Sequence, residues 1–452
     1  MYNSESYFDS HECFTRWQQE CSHELDNIVR WWAMFAIDEV HGGFYGEVDN
    51  HCNPNLQADK GLVLNARILW FFSSVAASAQ VSSSTRRTAL KLAGRSYDYF
   101  TRHFHDASHG GAYWSLDSKG EPRDTRKQTY GIAFAIYGFS AYYALTHSPE
   151  ALQHARDYFQ LIEGYCKDTQ HGGYFECRSR DWQSAIDMPM SQKDLLAAKT
   201  MNNHLHILEA YTTLYHVAPT DDVKAALLHC LEVMDSHILG SDKPHLKLFM
   251  TDDWQHDLSE TYSFGHDIEY SWLAAEAIDA LEMPALAEHY HPTLASIAAN
   301  CAERGLGSYG QLQESFHIAS QRFEDYNEWW IQAEALVGFF NAYQLTGEHR
   351  YLIIFERLWR YTKGFHIDPV YGEWFCCSTL EQQKGFNNPK IGFWKGPYHH
   401  GRALLEIMAR CERAMHSTAK PRAPLHASTT HNFIRSTLAS RVATEGATHA
   451  QR

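Results

Sequence analysis

Apolar residues recur along this chain every three to four positions, the spacing of one face of a helix. Such segments run from Leu56 to Ala77, Gly131 to Leu145, Leu195 to Tyr215, Ile268 to Leu281, Ile331 to Leu345 and Arg402 to Cys411. Between them a small turn rich in glycine and aromatics returns. It reads His41-Gly42-Gly43-Phe44-Tyr45, then His109-Gly110-Gly111-Ala112-Tyr113-Trp114, then His171-Gly172-Gly173-Tyr174-Phe175. Weaker echoes stand at Gly240, at Gly307-Ser308-Tyr309-Gly310 and at Tyr371-Gly372-Glu373-Trp374. The glycines at 42, 110, 172, 240, 307 and 372 lie 62 to 68 residues apart. A fixed period of this kind marks stacked supersecondary units. Each unit holds two helical segments, and the turn glycines supply the positive φ that a tight hairpin or loop requires.

Six units account for the chain to about residue 412. Six helical hairpins either stack into an open superhelix or close into a ring. The second helices begin with polar, aromatic-rich clusters, and closure makes these converge on one central cavity. The expected fold is therefore all-α, an (α/α)6 barrel of six helical hairpins with short β-hairpin or loop connections. Residues 1–412 form the single barrel domain, and residues 413–452, polar and poor in apolar residues, form a disordered tail.

The formal net charge is −15 and no Lys/Arg block appears in the body of the chain. That argues against a nucleic-acid groove or an anionic membrane surface as partner. Residues Met1 to Ser10 carry no basic-then-apolar signal pattern, and no stretch reaches the roughly 18 apolar residues of a membrane span. The ten cysteines form no CxxC pair, and Cys376 and Cys377 are adjacent. Free thiols in a reducing cytoplasm are the economical reading. Aromatics reach 14%, which fits a large helical core and sugar-binding walls equally well.

Several helix starts carry unusual polar groups. Asn202 and His206 are four apart and share a helix face. His266 and Glu269 are three apart and within reach of one another, the arrangement that fixes an imidazole tautomer and raises its basicity. Gly396-Pro397 places His399 at a helix start beside Trp394, and Arg67 lies within an otherwise apolar helix. No HExxH or similar ligand spacing occurs, and His204 and His206 point to different sides of their helix.

The segments Ala58 to Arg67, Gly265 to Glu269, Trp329 to Glu334 and Trp394 to His399 resemble the cellobiose 2-epimerases of the N-acylglucosamine 2-epimerase superfamily. The likeness runs from about residue 12 to residue 412, in order and with matching intervals. It implies an (α/α)6 barrel that epimerises the reducing-end glucose or mannose of β-1,4-linked disaccharides, or free mannose in some relatives. Carried over by motif, His266 and His399 are the acid/base pair, with Glu269 paired to His266. His206 assists ring opening and orients the open-chain aldehyde with Arg67, Tyr130 and Asn202. Trp394 and one of Trp329 or Trp330 stack on the sugar. The resemblance implies no cofactor and no metal, a mono- or disaccharide partner, and a monomer or weak homodimer. One departure is His400, where many relatives have Asn, which bears on contacts at the reducing end.

Three rivals share these features. An aldose–ketose isomerase uses the same enediolate but returns the proton to C1. A glycoside hydrolase or lyase on the same barrel needs two carboxylates flanking the bond. A sugar-binding helical-repeat scaffold binds without turnover.

Overall fold

The computed structural model describes residues 10–183, 195–240, 244–324, 326–378 and 388–416. Twelve α-helices are present among them. The inner helices are α2 (Leu62–Ala77), α4 (Thr129–Thr146), α6 (Met201–Val217), α8 (Phe264–Leu281), α10 (Trp329–Thr346) and α12 (Tyr398–His416). The outer ones are α1 (Ser10–Phe35), α3 (Ser83–Tyr99), α5 (Pro149–Leu161), α7 (Asp221–Val233), α9 (Pro284–Asn300) and α11 (Arg350–Phe365). Each inner helix packs on the next, and α12 packs back on α2, so the ring is closed. The first helix, α1, is the outer partner of the last inner helix, α12, and the barrel is locked shut by its two ends.

The pattern of side chains explains which helices go inside. In α2 and α4 nearly every residue is buried over the first thirteen positions, as expected of a helix covered on all sides. In α3 and α5 only a stripe is buried, at Ala89, Leu92, Ala93 and Ser96 and at Ala151, Ala155, Tyr158 and Phe159. Serine or threonine hydroxyls cap several starts: Ser82 for α3, Ser148 for α5, Thr200 for α6 and Ser263 for α8.

Inner helices pass to outer ones through short links, whereas the return carries the glycine turn. All six turns are hairpins closed by one antiparallel bridge: Ile37 with Phe44, His105 with Ala112, Lys167 with Tyr174, Leu239 with Leu246, Leu306 with Leu312 and Ile367 with Trp374. The weak echoes at 240 and 307 are thus true members of the repeat. Gly42 and Gly43 have φ of 81° and 63°, and the pattern recurs at Gly110–Gly111 and Gly172–Gly173. In the sixth turn Glu373 takes this left-handed position with φ 62°, held there by Trp32 Nε1 at 2.8 Å and its neighbour's amide at 2.9 Å.

A second element of the repeat escaped the sequence reading. Asp38, Asp106, Asp168 and Asp368 each stand four residues before a turn glycine, and each meets a buried lysine leading into the next inner helix. The pairs are Asp38–Lys60 at 2.8 Å, Asp106–Lys127 at 3.0 Å, Asp168–Lys199 at 2.6 Å and Asp368–Lys390 at 2.6 Å. The other carboxylate oxygen of Asp38 accepts two backbone N–H groups of its turn, at 3.0 and 2.9 Å. These clasps tie each turn to an inner-helix start and so set where the site residues begin.

The helical periodicity placed two starts too early. Lys60–Gly61 and Lys199–Thr200 are short strands, paired with Ser115–Leu116 and Phe249–Met250, and the helices begin only after them. Helix α12 continues to His416, four residues beyond the expected domain end at 412. Met415 accepts a hydrogen bond from Thr15 Oγ1 at 3.3 Å, so the barrel includes it. The remainder of the expected tail and the Met1–Ser10 stretch up to Asp9 lie outside the described residues. All ten cysteines are free, and no described helix is long and apolar enough to cross a membrane.

Candidate active site

The starts of the inner helices converge at one mouth of the barrel. Arg67, Phe134, His206, Glu269 and Glu334 are each the sixth residue of their helix, so one phase of the repeat brings them to a common level. The fourth residues face the other way. His204, Asp267 and Gln332 reach back to accept the amides of Tyr174, Leu246 and Leu312, at 2.9, 2.8 and 3.0 Å. This confirms that His204 and His206 point apart.

At the centre lies Arg402, 3% exposed. Its guanidinium touches three carboxylates: Glu209, Glu269 at 2.7 Å and Glu334 at 2.8 Å. Glu209 also accepts from Tyr398 Oη at 2.6 Å and holds His206 Nδ1 at 2.8 Å. Glu334 accepts from Trp272 Nε1 at 3.1 Å and lies 2.6 Å from His399 Nδ1. Burial pushes Glu209 upward, but Arg402 and His206 outweigh it and hold this carboxyl down at about 2. Glu269 and Glu334 are both raised to about 7, in each case by burial foremost. The Glu334 charge adds to the rise of Glu269, and Arg402 opposes the rise of Glu334.

The two expected acid/base histidines do come together. The His266 ring lies 4.8 Å from that of Trp330, and the His399 ring lies 5.6 Å from the same indole. Burial holds His266 down to about 3 and His399 well below the usual imidazole range, the latter helped by Arg67 and Arg402. Both are therefore neutral near pH 7.

Two further corrections concern partners. Glu269 does not pair with His266: it binds Arg402, and its nearer histidine is His399, with Nδ1 at 4.0 Å. The ring of His266 is held instead by Ser263 Oγ at 2.7 Å, because that hydroxyl caps the helix and sits over the first turn. His400 packs on the sixth turn. Its ring stacks on Trp374 at 5.0 Å and its Nε2 lies 2.7 Å from Glu373, against the outer wall.

The remaining expected residues line the other side of the mouth. Arg67 donates to Tyr130 Oη at 2.9 Å and to the Trp394 carbonyl at 3.1 Å. The Tyr130 ring meets His206 at 5.1 Å and Trp394 at 5.9 Å. Asn202 is half-buried, and its Oδ1 has no hydrogen-bond partner. Trp330 and Trp394 are half-buried, whereas Trp329 is 4% exposed with Lys395 5.2 Å above its ring. A cavity of about 60 Å³ lies beyond Arg402, lined by Trp70, Tyr137, Thr212, Glu276 and Glu406. Its size suits water and not a sugar.

Glu209, Glu334, Tyr398, Trp272 and Arg402 were missed by sequence reasoning. Phase was the available signal for Glu334, since it repeats the position of Glu269. Among the described residues one group has metal-ligand geometry, Glu269, Glu334 and His399, with ligand atoms within 4.8 Å of one another.

The fold and the site define a closed (α/α)6 barrel with buried histidines and carboxylates at one mouth. The model of the N-acylglucosamine 2-epimerase family matches residues 43–400, and the chain belongs to that family. It is an isomerase-class enzyme, a sugar epimerase. A cellobiose 2-epimerase from Bacteroides fragilis is 38% identical over 392 residues, covering 86% of this chain and 98% of that protein. The solved cellobiose 2-epimerase from Spirochaeta thermophila superposes with a TM-score of 0.80 at 34% identity, covering 90% of this chain and all of that one. A D-mannose isomerase structure, at 18% identity and a TM-score of 0.76 over 89% of this chain and 99% of that one, shares the fold.

Proposed function

We propose that the enzyme inverts C2 of the glucose or mannose unit at the reducing end of a disaccharide such as cellobiose or mannobiose, or of free mannose. The observation that carries this reading is the placement of His266 and His399 against one indole, Trp330, at 4.8 and 5.6 Å. A sugar stacked on that ring presents C2 to both imidazoles, and inversion needs a base on one face and an acid on the other.

The chemistry follows from the partners. His206, its Nδ1 held by Glu209, gives a proton to the ring oxygen and takes the one leaving the O1 hydroxyl as the pyranose opens to the aldehyde. Arg67 and His206 stabilise negative charge on O1. Neutral His266 removes the C2 proton, and the C–H electrons form the enediolate. On the other face His399 delivers a proton from Nε2 while Nδ1 takes one from the carboxyl of Glu334. The imidazole thus stays neutral overall. In the reverse direction each step runs backward. Trp394 and Trp330 stack on the sugar, while Tyr130 and Asn202 orient it. The ten free cysteines support a reducing compartment, the cytoplasm, as its location.

Incubating the purified protein with mannose, cellobiose and mannobiose, then separating the products, tests this. The 2-epimer is expected. A ketose would replace the epimerase with an aldose–ketose isomerase, and binding without conversion would remove the catalytic reading.

A further inference from the structure

We propose that Glu269, Glu334 and His399 form a binding site for a divalent cation of the zinc class, and that filling it shuts off sugar turnover. Regulation of the same site rests on the epimerase reading; the binding itself does not.

Three observations point to a cation here. One imidazole nitrogen and two carboxylate oxygens lie within 4.8 Å of one another, all buried. That is a three-donor set of the kind zinc takes when it keeps an open position. Glu269 is fully buried, yet its Oε2 has no hydrogen-bond partner. A buried carboxylate oxygen left bare is costly and invites a cation or a donor. Finally, three carboxylates, Glu209, Glu269 and Glu334, gather on one guanidinium, that of Arg402. Three acid groups thus face one guanidinium, and an entering dication finds more carboxyls than cations around it.

Arg402 is the obstacle and also sets the mode of action. Its Nη2 contacts both Glu269 and Glu334, so the ion must take over at least one of those contacts, while Nη1 keeps Glu209. Ligation also claims Nδ1 of His399, which at 2.6 Å is the partner of Glu334. With both Nδ1 and Glu334 on the metal, the carboxyl has released its proton to solvent and the imidazole has no donor left to relay from. The reaction then stops although the sugar site keeps its shape.

Cobalt(II) titrated into the full-length enzyme, with its visible spectrum recorded, tests the site without relying on catalysis. One equivalent is expected to bind with the visible bands of nitrogen and oxygen ligation, and without the near-ultraviolet band that thiolate ligation brings. Glu269→Gln and Glu334→Gln, checked as folded by circular dichroism, should weaken binding at least ~10-fold, whereas Cys376→Ser should leave it unchanged. Zinc should inhibit epimerisation in proportion to occupancy, with EDTA restoring it. No spectrum at millimolar cobalt, a thiolate band, unchanged affinity in both Gln variants, or activation by zinc would each overturn the proposal. A wild-type enzyme that shows the cobalt spectrum but, stripped of metal, converts no sugar would refute the epimerase reading and leave the cation site standing.

Discussion

The Nδ1 of His399 and the Oε1 of Glu334 lie 2.6 Å apart inside the barrel, a histidine whose free proton affinity is depressed beside a carboxyl whose own is raised to about 7. The two shifts run in opposite senses, so a proton shared by this pair rests on the acid, and the proposed reaction uses the imidazole as its relay.

Replacing Glu334 by Gln keeps the volume and removes the exchangeable proton. The expected loss in kcat is about 100-fold or more, the low end for a general acid, with a small change in KM. The sign of the pH effect is fixed as well. A carboxyl raised to about 7 is protonated below that pH, so the step that uses its proton slows as pH rises through about 7. Glu269 is raised to about 7 beside it, so the limb belongs to the pair. A pH–rate profile of Glu334→Gln that keeps the wild-type limb unchanged would show that the proton comes from elsewhere.

His266→Ala and His399→Ala should each cut epimerisation at least ~100-fold while leaving the circular dichroism spectrum intact. Carried out in deuterium oxide, the wild-type reaction should place deuterium at C2 of the product, because the proton delivered is not the one removed. Full retention of the original hydrogen would mean one shielded base or an oxidation–reduction route. A fully active His399→Ala would dissolve the histidine pair altogether.

What the sequence made legible was set by local period. The glycine turns and apolar stripes repeat every 62 to 68 residues, and that alone specified six hairpins. Residues at helix starts with an odd side chain for their surroundings, such as Arg67 or His206, could be found the same way. Contacts between repeats could not. Glu269 touches Arg402, 133 residues away, and Tyr398 touches Glu209 across 189 residues. The neighbour three positions back, His266, was the visible candidate, and the helix cap at Ser263 had already claimed its ring. Depressed histidines were equally hidden, because burial and not spacing causes them.

Acid should destabilise the fold through two buried histidines. His204 and His366 are fully buried, and burial depresses each to about 3. His204 Nδ1 donates to the Thr200 carbonyl at 2.7 Å, and its Nε2 accepts the Tyr174 amide at 2.9 Å, so only the neutral ring fits. Unfolded, both titrate near ~6.5. Their contribution is complete above pH ~6.5 and is lost as pH falls from there toward 3. Tm measured from pH 7 to pH 4.5 should drop steadily, with a shallower slope in His204→Ala from a lower starting point. Equal slopes would show that these rings do not drive the acid response.

The adjacent tryptophans should separate by kind of damage. Trp330 is half-buried, hydrogen-bonded through Nε1 to Glu328 at 2.8 Å, and flanked by both histidines. A sugar stacked on it gains on the order of 1.4 kcal/mol, so Trp330→Ala should raise KM about 10-fold with little change in Tm. Trp329 is 4% exposed, its indole packed under Lys395 and edge-on to His399 at 6.2 Å. Removing that ring opens a hole in packed core, and Trp329→Ala should cost about 3–5 kcal/mol of stability. Its KM should change less than that of Trp330→Ala, because the indole supports the site from behind. Steady-state kinetics and thermal melts on the two variants decide the assignment. A Trp329→Ala enzyme of normal Tm but raised KM would reverse it, placing the sugar on the other ring.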